Sequence, residues 1–239
     1  MMSNIAPITE VTDTFHKASD SLTQFFSEQG RKDNDMLYAF DEIDKFLSSA
    51  QSNADDIEQF AVFNARANEL ILLIDRLMVF ASNIKHQESF ALMEDFLLQF
   101  VLWFASAGGK ISSLIPVVNL IAARSNRLHE STELKQLMAD IEIVINATEP
   151  LIQEDMDDRD PRRPWRVLLL NYAITATRTH QPELMDRAFQ SLIHHLPDDL
   201  KQFFTEGMSQ MVALDYPDSV KEVMQRYYRQ YALQNIKNN

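Results

Sequence analysis

The residues best equipped for chemistry lie in one stretch, EDMDDRDPRRPWR, from Glu154 to Arg166. Arg159, Arg162, Arg163 and Arg166 crowd around Trp165, and Pro161 and Pro164 stiffen the backbone between them. Guanidinium forks bind carboxylates and phosphates through paired hydrogen bonds, and an indole ring is a frequent anchor where proteins meet. The acids of the same stretch, Asp155, Asp157, Asp158 and Asp160, raise the question of a calcium loop. Such a loop begun at Asp155 needs glycine at its sixth place and glutamate at its twelfth, where this chain has Asp160 and Arg166. The plainer alternative is a hinge between helices whose acids and arginines neutralise one another. A second aromatic and basic cluster closes the chain: Tyr227, Tyr228 and Tyr231 with Arg226 and Arg229. Tyrosine and arginine are enriched at interfaces, and they are equally at home half-buried on the last helix of a bundle.

Other chemistry is poorly served. The histidines stand at 16, 86, 129, 180, 194 and 195, and none has a glutamate three residues before it, the spacing that puts two metal ligands on one helix face. His-Glu-x-x-His is absent, and Asp13-x-x-His16 has no second copy. With no cysteine there is no thiolate ligand, no cysteine nucleophile and no disulfide. Arg124 with His129, and Arg187 with His194, fit the Arg-x(4–6)-His spacing of the HEPN ribonucleases, which are helical bundles. There the pair would activate a ribose hydroxyl and steady a phosphate, but composition alone supplies roughly one such match. Glycine occurs only at 30, 108, 109 and 207, too sparsely for a phosphate-cradling loop, a dinucleotide fold or a nucleophile elbow. No cofactor is expected, and no metal.

The elements that hold these residues are helical throughout. Apolar positions recur at threes and fours: Val11, Phe15, Ala18, Leu22 and Phe25, then Leu37, Phe40, Ile43, Leu47 and Ala50. Phe60, Phe63, Ala67, Leu70, Ile74, Leu77, Ala81 and Ile84 form a heptad seam. That seam would pair copies of the chain in a homo-oligomer or pack inside its own bundle; Leu72, Leu73 and Val79 widen the face and favour the bundle. Phe90, Met93, Leu97, Phe100 and Phe104 mark the next helix, Pro116 falls in the first turn of another or kinks it, and Ser131 is placed to cap a sixth. The segments starting at Pro182 and Pro217 match at Met185/Val220, Ala188/Val223, Phe189/Met224, Leu192/Tyr227 and Ile193/Tyr228. A period near 35 residues is one used by helical repeats.

The expected fold is therefore all-α, with roughly eight to ten helices. A helical bundle is expected over 1–130, and helical hairpins of repeat-like, solenoid-like character over 131–239. The 239 residues are 46% hydrophobic and 24% charged, with a net charge of −13 and a pI near 4.8. The charge is spread: −8 over 1–130 and −5 over 131–239. Such a field repels nucleic acid and anionic membrane. The most apolar run, Phe96 to Ala123, is broken by Gly108, Gly109 and Lys110, so buried core helices are expected rather than stable membrane insertion. The N-terminus has no charged-then-apolar leader, and a cytoplasmic protein is expected. The function these features favour is a non-enzymatic adaptor, assembly factor or chaperone-like scaffold. Its partner would be another protein, with a basic segment suited to the acidic surface, docking on Arg159, Arg162, Arg163, Trp165, Arg166, Tyr227, Tyr228 and Tyr231. The alternative is an enzyme or small-ligand binder whose site is assembled from several helices.

Overall fold

The computed structural model describes residues 5–50, 57–154, 160 and 162–233. Among them the chain forms eleven α-helices, a 3-10 turn and a closing π turn, and no strand. The fold is all-α. Its packing divides into two units: Met2–Leu120 with Asn146–Glu149, and Ile121–Ile145 with Pro150–Asn239. The division passes through two helices, between Leu120 and Ile121 and between Ile145 and Asn146.

The first unit is built on α1 (Ile8–Glu28), α2 (Asn34–Ala50), α3 (Ile57–Asn83) and α4 (Gln87–Ser106). α1 buries Val11, Phe15, Ala18 and Leu22, and ends where Gly30 takes a left-handed φ of 63° and the Arg31 N–H returns to the Phe26 carbonyl. α2 is capped by Asp33, whose carboxylate accepts the Met36 N–H at 2.9 Å. α4 is the central element. It packs on both α1 and α3 and buries side chains nearly all round, which is why its sequence reads as a continuous apolar run. It is long and apolar enough to cross a membrane by composition, yet 56% of that window is buried in the fold. Phe15, Phe96, Phe100, Phe46, Phe63 and Phe104 form a chain of ring contacts 5.1–6.3 Å apart through this core.

The α3 seam points inward. Ala67, Leu70, Ile74, Leu77 and Ala81 are buried within the chain, whereas Phe60, at the start of the row, is 39% exposed.

The turn between α4 and α5 (Leu114–Arg127) is fastened by two asparagines of α3. The buried Asn68 side chain donates to the carbonyls of Asn64 (2.9 Å) and Lys110 (2.8 Å), and accepts from the N–H groups of Ser112 (2.8 Å) and Ser113 (2.9 Å). Asn64 accepts the Lys110 N–H at 2.7 Å. From the other side, Ile111 donates to the Ala147 carbonyl (2.8 Å) and accepts from the Glu149 N–H (2.9 Å). The turn also needs its glycines: Gly108 has φ 86°, and a Cβ on Gly109 would lie 2.2 Å from the buried Phe104 ring. Pro116 sits in the first turn of α5, where its missing N–H costs no helical bond.

The second unit contains the end of α5, most of α6 (Ser131–Ala147), the single turn α7 (Pro150–Gln153), α8 (Pro164–Arg178), α9 (Pro182–His195), α10 (Leu200–Ala213) and α11 (Asp218–Tyr228). α8 packs on α9, α10 on α11, and α11 on α9. Ser131 opens α6 rather than capping it; its hydroxyl donates to the Thr179 carbonyl at 3.0 Å. Arg178, at the end of α8, donates to the carbonyls of Ser125 and Leu128 (2.6 Å for the latter), closing the C-terminus of α5. α9 and α11 bury the same face: Met185/Val220, Ala188/Val223, Phe189/Met224 and Leu192/Tyr227 are all buried. The likeness goes no further, since Pro182 is the first residue of α9 whereas Pro217 stands one residue before α11.

Replacing Asn68 with alanine strands the Lys110, Ser112 and Ser113 backbone groups, at a cost of about 2–3 kcal/mol of unfolding free energy. Asn64→Ala, which loses a single loop bond, is expected to cost about 1 kcal/mol. Urea unfolding of both variants beside the wild type checks the order; equal effects would contradict the central role of Asn68.

Candidate functional site

The stretch around Trp165 begins with an Asx turn. The Asp160 carboxylate accepts the Arg162 N–H at 2.9 Å and the Arg162 side chain at 3.3 Å, and the Asp160 carbonyl accepts the Arg163 N–H at 3.2 Å. The backbone bond from Arg162, above all, holds the Asp160 carboxyl below its ordinary range. Pro164 then opens α8 in the position its fixed φ suits. Arg159, with Asp155, Asp157, Asp158 and Pro161, lies outside the described residues.

This start of α8 docks onto the turn after α9. Trp165 is 1% exposed and meets His195 edge to face at 5.3 Å. Its ring is therefore interior and offers no face to a partner, contrary to its expected role as a docking anchor. Arg166 binds the Asp199 carboxylate through Nε (2.7 Å) and Nη2 (2.6 Å), and Arg163 approaches the same carboxylate at 3.8 Å. All three side chains are about five-sixths buried, at 15–16% exposure. The guanidinium forks thus hold an internal carboxylate, where they were expected to meet an external one. Among the described arginines of the stretch only Arg162 projects, at 89% exposure.

The C-terminal tyrosines divide in the same way. Tyr227 is buried, stacked on Phe204 at 5.4 Å and edge-on to Phe189 at 5.1 Å, and its hydroxyl accepts from Gln190 at 3.1 Å. Burial raises the Tyr227 pKa. Arg226 lies over the Tyr227 ring and pairs with Asp186. Tyr231 is half-buried against Phe204 (5.9 Å), and Tyr228 is half-buried as well.

His129 is exposed, and Arg187 is engaged 3.0 Å from Glu142 rather than with His194. That Glu142 also accepts the Tyr172 hydroxyl at 2.5 Å, so α6, α8 and α9 are joined by a phenol–carboxylate–guanidinium link. Burial first, and the bond to Glu142 second, push the Tyr172 phenol far above its ordinary value. This link had no linear signal, because its three residues are some thirty and fifteen positions apart along the chain. Among the described residues no group of three or more histidines, cysteines or carboxylates could hold a metal ion.

An all-α helical bundle is thus the class that the fold defines. Comparison with protein-family models, with curated proteins and with solved structures gives no match to this chain.

Two outcomes are expected. Trp165→Ala removes a buried indole and should cost about 3–5 kcal/mol, while Arg162→Ala should fall within about 0.5 kcal/mol of wild type; chemical denaturation separates them. Burial, aided by the neighbouring His194, lowers the His195 pKa. The unfolded chain then takes up a proton near the ordinary 6.5 while the folded chain resists it. Stability is full above that value and declines as the pH falls through the window beneath it. His195→Gln should therefore shrink the loss of Tm between about pH 7.5 and about pH 5.5, and an unchanged loss would contradict this account.

Proposed function

We propose that this chain is a non-enzymatic protein-interaction protein, an adaptor, assembly factor or chaperone-like scaffold of the cytoplasm, and that α3 is its interaction helix. One observation carries the reading. The face of α3 away from the core exposes Val62 (61%), Leu72 (40%) and Val79 (53%) at helical spacing. Large aliphatic side chains in a periodic row on the outside of a helix are what helix-to-helix and helix-in-groove recognition use. By contrast, the arginines and tyrosines with the greatest chemical reach are mostly spent inside the fold, on Asp199, Glu142 and the aromatic core. The net charge of −13 suits a partner that brings basic residues to the flanks of the contact.

A second reading, a small-ligand binder, is favoured by one atom. Trp165 Nε1 is a buried donor with no partner among the described residues, beside a His195 ring whose neutral form is favoured. A compact acceptor reaching that nitrogen would satisfy it.

Affinity capture from native lysate, wild type beside Leu72→Glu/Val79→Glu, tests the first reading. A stoichiometric protein retained by the wild type and lost by a variant of unchanged helicity is expected. Identical captures, or a partner bound equally by both, would remove α3 from the account.

A further inference from the structure

We infer that the outer face of α3 pairs with the same face of a second copy of this chain, antiparallel about a two-fold axis beside Leu72. The inference rests on the reading of α3 as an interaction helix and names the occupant.

The face is the row Val62, Ala65, Glu69, Leu72, Arg76 and Val79, every one exposed. Each lies three or four residues from the next, so the row runs straight along one side of the helix for about 25 Å, opposite the buried seam of Ala67, Leu70, Ile74 and Leu77. The inner seam holds the bundle together; the outer row has the same periodicity and, among the described residues, stays exposed.

The charges in the row select the occupant. Glu69 stands three residues before Leu72 and Arg76 four after it. If two copies cross antiparallel with Leu72 on Leu72, each Glu69 comes opposite the other copy's Arg76. Each Ala65 then comes opposite the other copy's Val79. The surface is self-complementary under a two-fold axis, as an isologous contact requires. Parallel pairing would set Glu69 on Glu69 and Arg76 on Arg76, and like charges face to face oppose association.

Net charge works against this pairing only through the average field. Two chains of −13 repel through their average field. The row carries one acid and one base, so contact there adds no like-charge penalty. Arg66, beside the row, is held 4.0 Å from Glu42 of its own chain and does not unbalance it. A strongly basic helix would find no acidic excess along this row, which distinguishes it from the acidic surface in general.

Sedimentation velocity and light scattering on the purified full chain provide the test. The wild type is expected to be a dimer, and Leu72→Glu a monomer at the same concentration with unchanged helicity and Tm. Glu69→Arg alone and Arg76→Glu alone should each weaken self-association about tenfold or more, because each sets like charges opposite one another. Mixing those two variants should restore a one-to-one dimer, and the double reversal Glu69→Arg/Arg76→Glu should restore the homodimer. A wild type that stays monomeric up to roughly 100 µM overturns the inference. So does a dimer indifferent to both charge reversals. A monomeric wild type whose lysate partner is still lost on Leu72→Glu/Val79→Glu overturns the second copy while leaving α3 as an interaction helix. Loss of neither property by those variants removes both readings.

Discussion

The first unit depends on how the chain reverses between α4 and α5. Two apolar segments meet there, and the backbone between them must pass close to the Phe104 ring without leaving its own polar groups stranded. Glycine solves the steric part, since no side chain fits at Gly109. Asn68 solves the polar part. Its amide has two donors and an acceptor oxygen with two lone pairs, and all are matched to backbone groups. A single amide therefore ties α3 to the start of α5 and fixes the exit direction of α4, on whose burial the whole aromatic core relies.

The second unit answers a related problem with arginine. Arg178 closes the exposed carbonyls of α5, Arg166 and Arg163 secure the turn that carries Asp199, and Arg187 joins α9 to α6 through Glu142. A planar guanidinium can satisfy several acceptors at once while its stem packs against apolar neighbours, which suits helix ends that meet at angles. Arg163, Arg166 and Arg178 are the half-buried members of this set, whereas Arg187 makes its link from an exposed position.

Helical periodicity was legible in the sequence because apolar side chains must face a common core. The rows through Val11–Leu22, Ala67–Ala81 and Met185–Leu192 all mark buried faces. What periodicity could not say is which of two rows on α3 faces inward, since both Leu70–Ile74–Leu77 and Leu72–Val79 obey helical spacing. Packing decided it: Leu70, Ile74 and Leu77 are buried, while Leu72 and Val79 stay exposed. The site residues were harder. Composition shows that arginine and tryptophan are close in sequence around Trp165, but not that Asp199, far along the chain, lies within 2.6 Å of Arg166 and turns an outward-looking cluster into an internal one. The Asn68 clamp and the Tyr172–Glu142 bond were invisible for the same reason. Each joins residues whose neighbours in sequence say nothing of their neighbours in space.

The chain has two tryptophans, and the fold has placed one in each unit. Trp103 sits among Phe63 and Phe100, about 6 Å from each ring, whereas Trp165 sits against an imidazole. The molecule thus carries two built-in optical reporters in dissimilar surroundings. Changing either indole to phenylalanine would leave the emission of one unit alone, so that the melting of each could be followed without labels. Coincident transitions would describe one cooperative body; separate ones, two that fold on their own terms.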